Sequence, residues 1–180
     1  RFIPRAWIQH LGAPVASNWE HTIRVLYLAL LIAKGEKQGD QNLIMKMALV
    51  HDVAETRTAD LAYVHKVYNE QDEDKAADDI FADTSFGDMR DVLTQYEKRD
   101  TIEAKIVKDA DNLDIDLELK ELEEQGHNLP AKLHPMRKMV RDKKLYTETA
   151  RKLWDDIEKG DPAAWHLTAN KWHKIPKAGL

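Results

Sequence analysis

Apolar residues recur along this chain at helical spacing, and no stretch alternates as a strand would. Ile23, Leu26, Tyr27 and Leu30 fall at i, i+3, i+4 and i+7, predicting a helix from about Asn18 to the Gly35 region, capped by Ser17 or Asn18. After Gly39, Asp40 can cap a second helix whose Leu43, Ile44, Met47 and Val50 face a core and which carries His51 and Asp52. A third helix is expected over Tyr63 to Phe81 and a shorter one near Met89 to Tyr96. A long one follows, in which Asp100 and Glu103 have capping-box spacing and Gly126 marks the stop. Pro130 and Pro135 punctuate a loop. A last helix carries Ala150, Leu153, Trp154 and Ile157 up to Gly160-Asp161-Pro162, and the tail beyond is irregular. Without repeats or linkers, the pattern reads as an all-α chain folded as one domain.

Composition narrows the function. At 180 residues, 43% of them hydrophobic, the chain is long enough for one domain with a proper core. A formal charge of −5 with both signs interspersed gives no basic footprint for nucleic acid, so small molecules are the expected partners. The absence of cysteine excludes disulfides and thiolate ligands, leaving His, Asp and Glu to hold any metal. No apolar run reaches membrane-spanning length and no signal-like stretch opens the chain, so a soluble, cytoplasmic protein is expected.

The chemistry concentrates in "MALVHDVAETRTADL", residues 47–61. On a helix His51 and Glu55 share a face while Asp52 is turned by about 100°, so the pair can grip one metal only if other ligands arrive from elsewhere. His21 is one candidate, brought near by antiparallel packing across the Gly35–Gly39 turn. The long helix offers Asp109, Asp111, Asp114, Asp116 and Glu118. Its solvated stripe holds Lys105, Asp109, Asn112, Asp116 and Glu123, whereas Asp111 sits among Ala104, Val107, Ile115 and Leu122, with Asp114 or Glu118 as alternatives on nearly the same face. A carboxylate facing a core needs a partner, and a metal is an effective one. Two His and two Asp on three helices make a nitrogen and oxygen site for one divalent ion of the Mn, Fe, Co, Ni or Zn type, with Mg also open.

His21, then His51-Asp52, then Asp111 resembles the HD superfamily of metal-dependent phosphohydrolases. More narrowly, "WEHT", "HDVAETRTADL" and "KIVKDADNLD" look like its 5′-deoxynucleotidase branch, over roughly Arg5 to Gly126. The resemblance implies an all-α HD fold in which His21, His51, Asp52 and Asp111 ligate one divalent cation. It implies that Glu55 activates or positions the attacking water and that Asp60 contacts the nucleotide and orders the site. Arg5 and Trp7 of "PRAW" resemble a phosphate-holding Arg and a pocket-wall Trp, although Ala6 separates them here where the family pair is often adjacent. Lys66 matches a basic position near the phosphate. The proline common after the acid matching Asp60 is replaced by Leu61-Ala62.

The implied reaction is hydrolysis of a phosphomonoester, with deoxynucleoside 5′-monophosphates as the expected substrates. A nucleoside triphosphate hydrolase and a non-catalytic metal and nucleotide-binding module are the alternatives. A homodimer is expected, because related HD nucleotidases are commonly dimers and the carboxy-terminal region is rich in apolar and aromatic residues. His65, His127, His134, His166 and His173 follow no ligand spacing, and Trp154, Trp165 and Trp172 read as packing residues.

Overall fold

The structure, a computed structural model, describes residues 3–9 and 14–168, with the backbone alone described at Trp7, Leu167 and Thr168. The described residues form α-helices and no strand beyond one isolated bridge. Helix α1 (Asn18–Glu36) starts in a capping box, in which Ser17 Oγ accepts from Glu20 N and the Glu20 carboxylate accepts from Ser17 N at 2.7 Å. It ends at Lys37 in the left-handed region. Gly39, at φ +89°, completes the turn into α2 (Gln41–Val50), where a Cβ would press on Ile44. Gly35 does not lie in that turn. It sits inside α1 where a Cβ would stand 2.5 Å from Thr149, so its lack of a side chain lets α1 approach the later helix α9 (Glu148–Lys159).

Helix α7 (Ile102–Glu124) runs through the centre, packed on α1, α2, α9, and α6 (Asp88–Lys98). The core between them is built from Val25, Ala29, Ile32, Ile44, Met47, Leu93, Ile106, Val107, Ala110 and Leu113, all essentially inaccessible to water. Thr101, not Asp100, caps α7, its hydroxyl accepting from Ala104 N at 3.2 Å. Glu103 is instead drawn across to the backbone N–H of Asp40, tying the start of α7 to the start of α2.

Other sequence expectations change as well. The helix expected over 63–81 is broken into α4 (Tyr63–Lys66) and α5 (Glu73–Phe81), following the short α3 (Glu55–Thr58). Tyr63, Val64, Val67 and Tyr68 are exposed and give α4 no apolar face to bury. Asn69 takes the carbonyl of His65, and Asp72 caps a new helix at Lys75 N. Conversely, Pro130 and Pro135 lie within α8 (Leu129–Lys143): Pro130 occupies the first turn, where an N–H is unneeded, and Pro135 is carried inside the helix. Arg137 anchors that helix by a two-pronged bond to Asp116 at 2.8 Å, both side chains buried.

The stripe of α7 expected to face solvent is also partly buried. Asp109 is inaccessible and accepts three bonds, from Tyr146 N, Thr147 N and Thr147 Oγ, which hold the entry to α9. Trp154 packs in the core, whereas Trp165, on the short α10 (Ala164–Thr168), is exposed. Trp172 and His173 lie outside the described residues. No helix among the described residues is long and apolar enough to cross a membrane.

Candidate metal centre

Three elements deliver the polar groups. His21 occupies the first turn of α1 and is fully buried. His51 and Asp52 do not lie within α2, which ends at Val50. They begin a tight turn of i to i+3 bonds, Val53 N to Val50 O and Glu55 N to Asp52 O, that leads into α3. Asp111 comes from the middle of α7.

The ligand atoms converge. One atom from each of His21, His51, Asp52 and Asp111 lies within 4.8 Å of the others. His21 Nε2 is 3.2 Å from Asp52 Oδ2, 3.3 Å from Asp111 Oδ1 and 3.1 Å from His51 Nε2. The outer ring nitrogens fix what the inner ones can do. His51 Nδ1 donates to the Ala48 carbonyl at 2.8 Å, so a neutral His51 turns a bare Nε2 to the cluster. His21 Nδ1 meets Asp114 Oδ2 at 2.6 Å, and Asp114 is itself clamped by Arg24.

This donor set fits a divalent cation. Two imidazole nitrogens and two carboxylates, each His oriented through its far nitrogen, are the ligand chemistry of borderline first-row metals. Donors bound at about 2.0–2.2 Å stand at most about 4.4 Å apart, so the observed spread needs only a slight contraction. Burial opposes charge on His21, but bonds to Asp111, Asp114 and Asp52 outweigh it and push its pKa up to about 11. Burial likewise opposes charge on Asp52 and Asp111. The two histidines offset it at Asp52, and Lys108 with the histidines does so at Asp111, holding both carboxyls well below the usual range.

The residues around the cluster divide into two groups. Glu55 accepts from Asn18 Nδ2 at 2.5 Å, and burial together with Asp52 and Asp60 raises it to about 8. Arg5 reaches the cluster because the chain near Pro4 pairs antiparallel to Ser17, with Asn18 N donating to Ile3 O and Arg5 N to Ala16 O. Its guanidinium is buried and lies 3.4 Å from Asp52 and 3.3 Å from Asp60, its Nε lacking a hydrogen-bond partner among the described residues. Asp60 also accepts from Ala6 N at 3.0 Å, so it secures the amino-terminal segment. Ala59 just before it is held at φ +65°, a costly conformation for a residue with a Cβ, and Gln71 Nε2 braces that bend from the carbonyls of Thr58 and Ala59.

On the other side, Lys108 Nζ donates to Asp111 Oδ2 at 2.7 Å. Tyr96 sets its ring edge-on to His51, and the Arg99 guanidinium stacks on Tyr96. Lys66 is not brought to the cluster by any described contact; it is exposed on α4 and makes no ion pair among the described residues. The side chain of Trp7 lies outside the described residues. A cavity of about 550 Å³ is lined by Trp19, Ile23, Arg24, Glu118 and Leu122 among others and by none of the four converging residues.

Sequence reasoning missed Asn18, Arg24, Gln71 and Lys108 as members of this environment. Asn18 and His21, three apart in the first turn of α1, face the same way; that spacing was the available signal for one of them.

The family model described as HD domain matches residues 1–154. The protein named 5′-deoxynucleotidase HDDC2 from Dictyostelium discoideum is 30% identical over 139 residues, covering 71% of this chain and 73% of that one. Its namesake from Xenopus laevis is 29% identical, covering 68% of this chain and 63% of its own length, so the chain spans under two thirds of that relative. Among solved structures, a conserved hypothetical protein from Pyrococcus furiosus superposes with a TM-score of 0.73 at 25% identity, covering 88% of this chain and 92% of the other. The chain belongs to the HD-domain family. In class it is a hydrolase, a metal-dependent phosphohydrolase.

Proposed function

We propose that the protein hydrolyses deoxynucleoside 5′-monophosphates to nucleoside and inorganic phosphate, using one divalent cation held by His21, His51, Asp52 and Asp111. The observation that carries this reading is the convergence of those four donors with Glu55 and Arg5 beside them. The names of the Dictyostelium and Xenopus relatives support the nucleotide as substrate.

When bound, the cation supplies Lewis-acid stabilisation of charge developing on the phosphoryl oxygens. Glu55, held by Asn18 through one oxygen and poised near neutrality, takes a proton from the attacking water with the other. Arg5 neutralises a phosphate oxygen, and Asp60 keeps Arg5 and the Ala6 backbone in place. Water adds to phosphorus, the P–O bond to the sugar 5′ oxygen breaks, and that oxygen takes a proton from solvent as it leaves as the nucleoside hydroxyl, while Glu55 returns to solvent the proton it took from the attacking water. Trp7 is assigned to the wall around sugar and base, and Lys66 to the outer approach of the phosphate.

One HD domain carries the activity, its metal-site core at about 5–126 and its carboxy-terminal helix and tail at about 136–180. A homodimer in the cytoplasm completes the proposal. The exposed Trp19, Tyr27 and Leu31 on α1 support self-association, and equilibrium sedimentation over a range of concentrations tests it.

The decisive experiment incubates the metal-loaded protein with a panel of nucleotides and simple phosphomonoesters and measures phosphate, pyrophosphate and nucleoside. Phosphate and nucleoside from monophosphates are expected. Release of pyrophosphate or triphosphate from nucleoside triphosphates alone would overturn the reading, and so would the absence of turnover.

A further inference from the structure

The two cations that touch the converging carboxylates are tied down very differently. Arg5 at Asp52 has a second acidic partner in Asp60 and its side chain is 8% exposed. Lys108 at Asp111 has Asp111 as its only ion-pair partner among the described residues, and its side chain is 38% exposed. The pairing is also asymmetric within Asp111: Oδ2 meets Lys108 while Oδ1 faces His21 Nε2 and the cluster.

Metal binding would separate the two cations further. Two carboxylates and a divalent cation cancel, so once Asp52 and Asp111 hold the ion neither has a full negative charge left for its cation. Arg5 keeps Asp60, and Arg24 keeps Asp114. Lys108 is left with its only partner already engaged, an ammonium with donors to spare at the water-accessible side of the site. Such a group is suited to an anionic oxygen arriving from solvent. Lys66, by contrast, is attached to no residue of the cluster.

We propose that Lys108 is a substrate-binding residue that takes a non-bridging oxygen of the phosphate, at the Asp111 edge of the site while Arg5 serves the Asp52 edge. This inference rests on the phosphohydrolase reading and adds to it a residue of α7 that selects for a dianionic phosphoryl group.

The test uses the full chain loaded with Mn²⁺, metal content being measured for every variant, and inorganic phosphate as the probe in calorimetric titration. Lys108→Met is expected to weaken phosphate at least tenfold per metal-loaded site and to raise KM for a phosphomonoester more than it lowers kcat. Lys108→Arg, which keeps the charge, is expected to stay within about threefold of the unsubstituted protein, as a charge-assisted contact requires. A Lys108→Met protein that binds phosphate within twofold of normal per bound metal overturns the proposal, and so does one whose whole deficit is lost Mn²⁺. Either result leaves the hydrolase reading intact if the unsubstituted protein binds phosphate and turns over. If that protein does neither, both fall together.

Discussion

Asp114 receives the Nδ1 hydrogen of His21 at 2.6 Å while its other oxygen is held by Arg24 Nε at 2.5 Å, so a residue that faces away from the cluster sets which nitrogen of His21 faces into it. Such outer partners typically contribute 10- to 100-fold in metal affinity. Asp114→Asn is therefore expected to weaken Mn²⁺ or Co²⁺ binding by about that factor. Activity at saturating metal should change much less. Titration calorimetry reads the affinity, and an unchanged value would show that His21 is oriented by packing alone.

Glu55→Gln separates holding the metal from using it. The amide retains the size of the side chain and can still meet Asn18, but it cannot take a proton. Turnover should drop about 100-fold or more, the usual contribution of a general base, with metal content preserved. Near-normal turnover would assign Glu55 a structural role.

Metal binding should depend on pH with a defined sign. His21 carries a proton up to about pH 11 in the protein by itself, and a cation must displace it. Affinity should thus rise about tenfold per pH unit, or about 100-fold from pH 6 to 8, with one proton released. Titrations in buffers of different ionisation enthalpy count that proton. The metal-free fold responds in the opposite direction. His21 and Glu55 have folded values above their ordinary 6.5 and 4.5, so the stability they contribute is complete below those values and is lost as pH rises toward about 11 and about 8. Asp52 and Asp111, depressed, contribute above 3.8 and lose it in acid. The metal-free melting temperature should decline from pH 6 to 9, and the loaded protein should show a flatter profile.

Substrate contacts at the amino terminus divide by size of ligand. Arg5→Ala should raise KM for every phosphomonoester by about tenfold or more, if a charge-assisted bond worth roughly 1.5–3 kcal/mol is lost. Trp7→Ala should weaken nucleotides and spare a small phosphomonoester, which has no sugar or base to lose. Equal losses for both ligands in Trp7→Ala would remove Trp7 from the pocket wall.

The buried pair between Arg137 and Asp116 offers a stability test far from the chemistry. Both side chains are at most 5% exposed, and Arg137 also donates to the Asn112 carbonyl at 2.7 Å. Arg137→Met strands the Asp116 carboxylate and should cost about 3–5 kcal/mol, a large share of the 5–15 kcal/mol typical of a whole domain. Adding Asp116→Leu should recover part of the loss, because the unpaired charge is then gone. Urea unfolding of the two variants measures both effects.

Helical spacing made α1, α2, α6, α7 and α9 legible to within a few residues, because each buries a continuous apolar stripe. It failed where that stripe is missing or where polar contacts decide. The run from Tyr63 to Tyr68 has helical spacing but nothing to pack on, and Pro135 sits in a helix that Arg137, two residues on, anchors. Periodicity also put Asp109 and Asp116 in water, since a wheel cannot reveal that Thr147 and Arg137, tens of residues away, come to meet them. The four residues His21, His51, Asp52 and Asp111 could be singled out by residue type and order. The groups around them, Asp114 and Arg24 behind His21, Lys108 at Asp111 and Asn18 at Glu55, depend on side-chain directions that only the folded chain reveals.

The acids of α7 leave its surface in several directions within ten residues: Asp109 to the entry of α9, Asp111 to the cluster, Asp114 to His21 and Arg24, Asp116 to Arg137, and Glu118 to the backbone of Ala16. A helix engaged on so many sides has a fixed phase. Adding one residue between Asp109 and Asp116 would turn everything beyond it by about 100° and shift it by about 1.5 Å, so no compensating slide could restore every engagement at once. The spacing between these acids is therefore as much a part of the centre as the identity of the four residues that converge there.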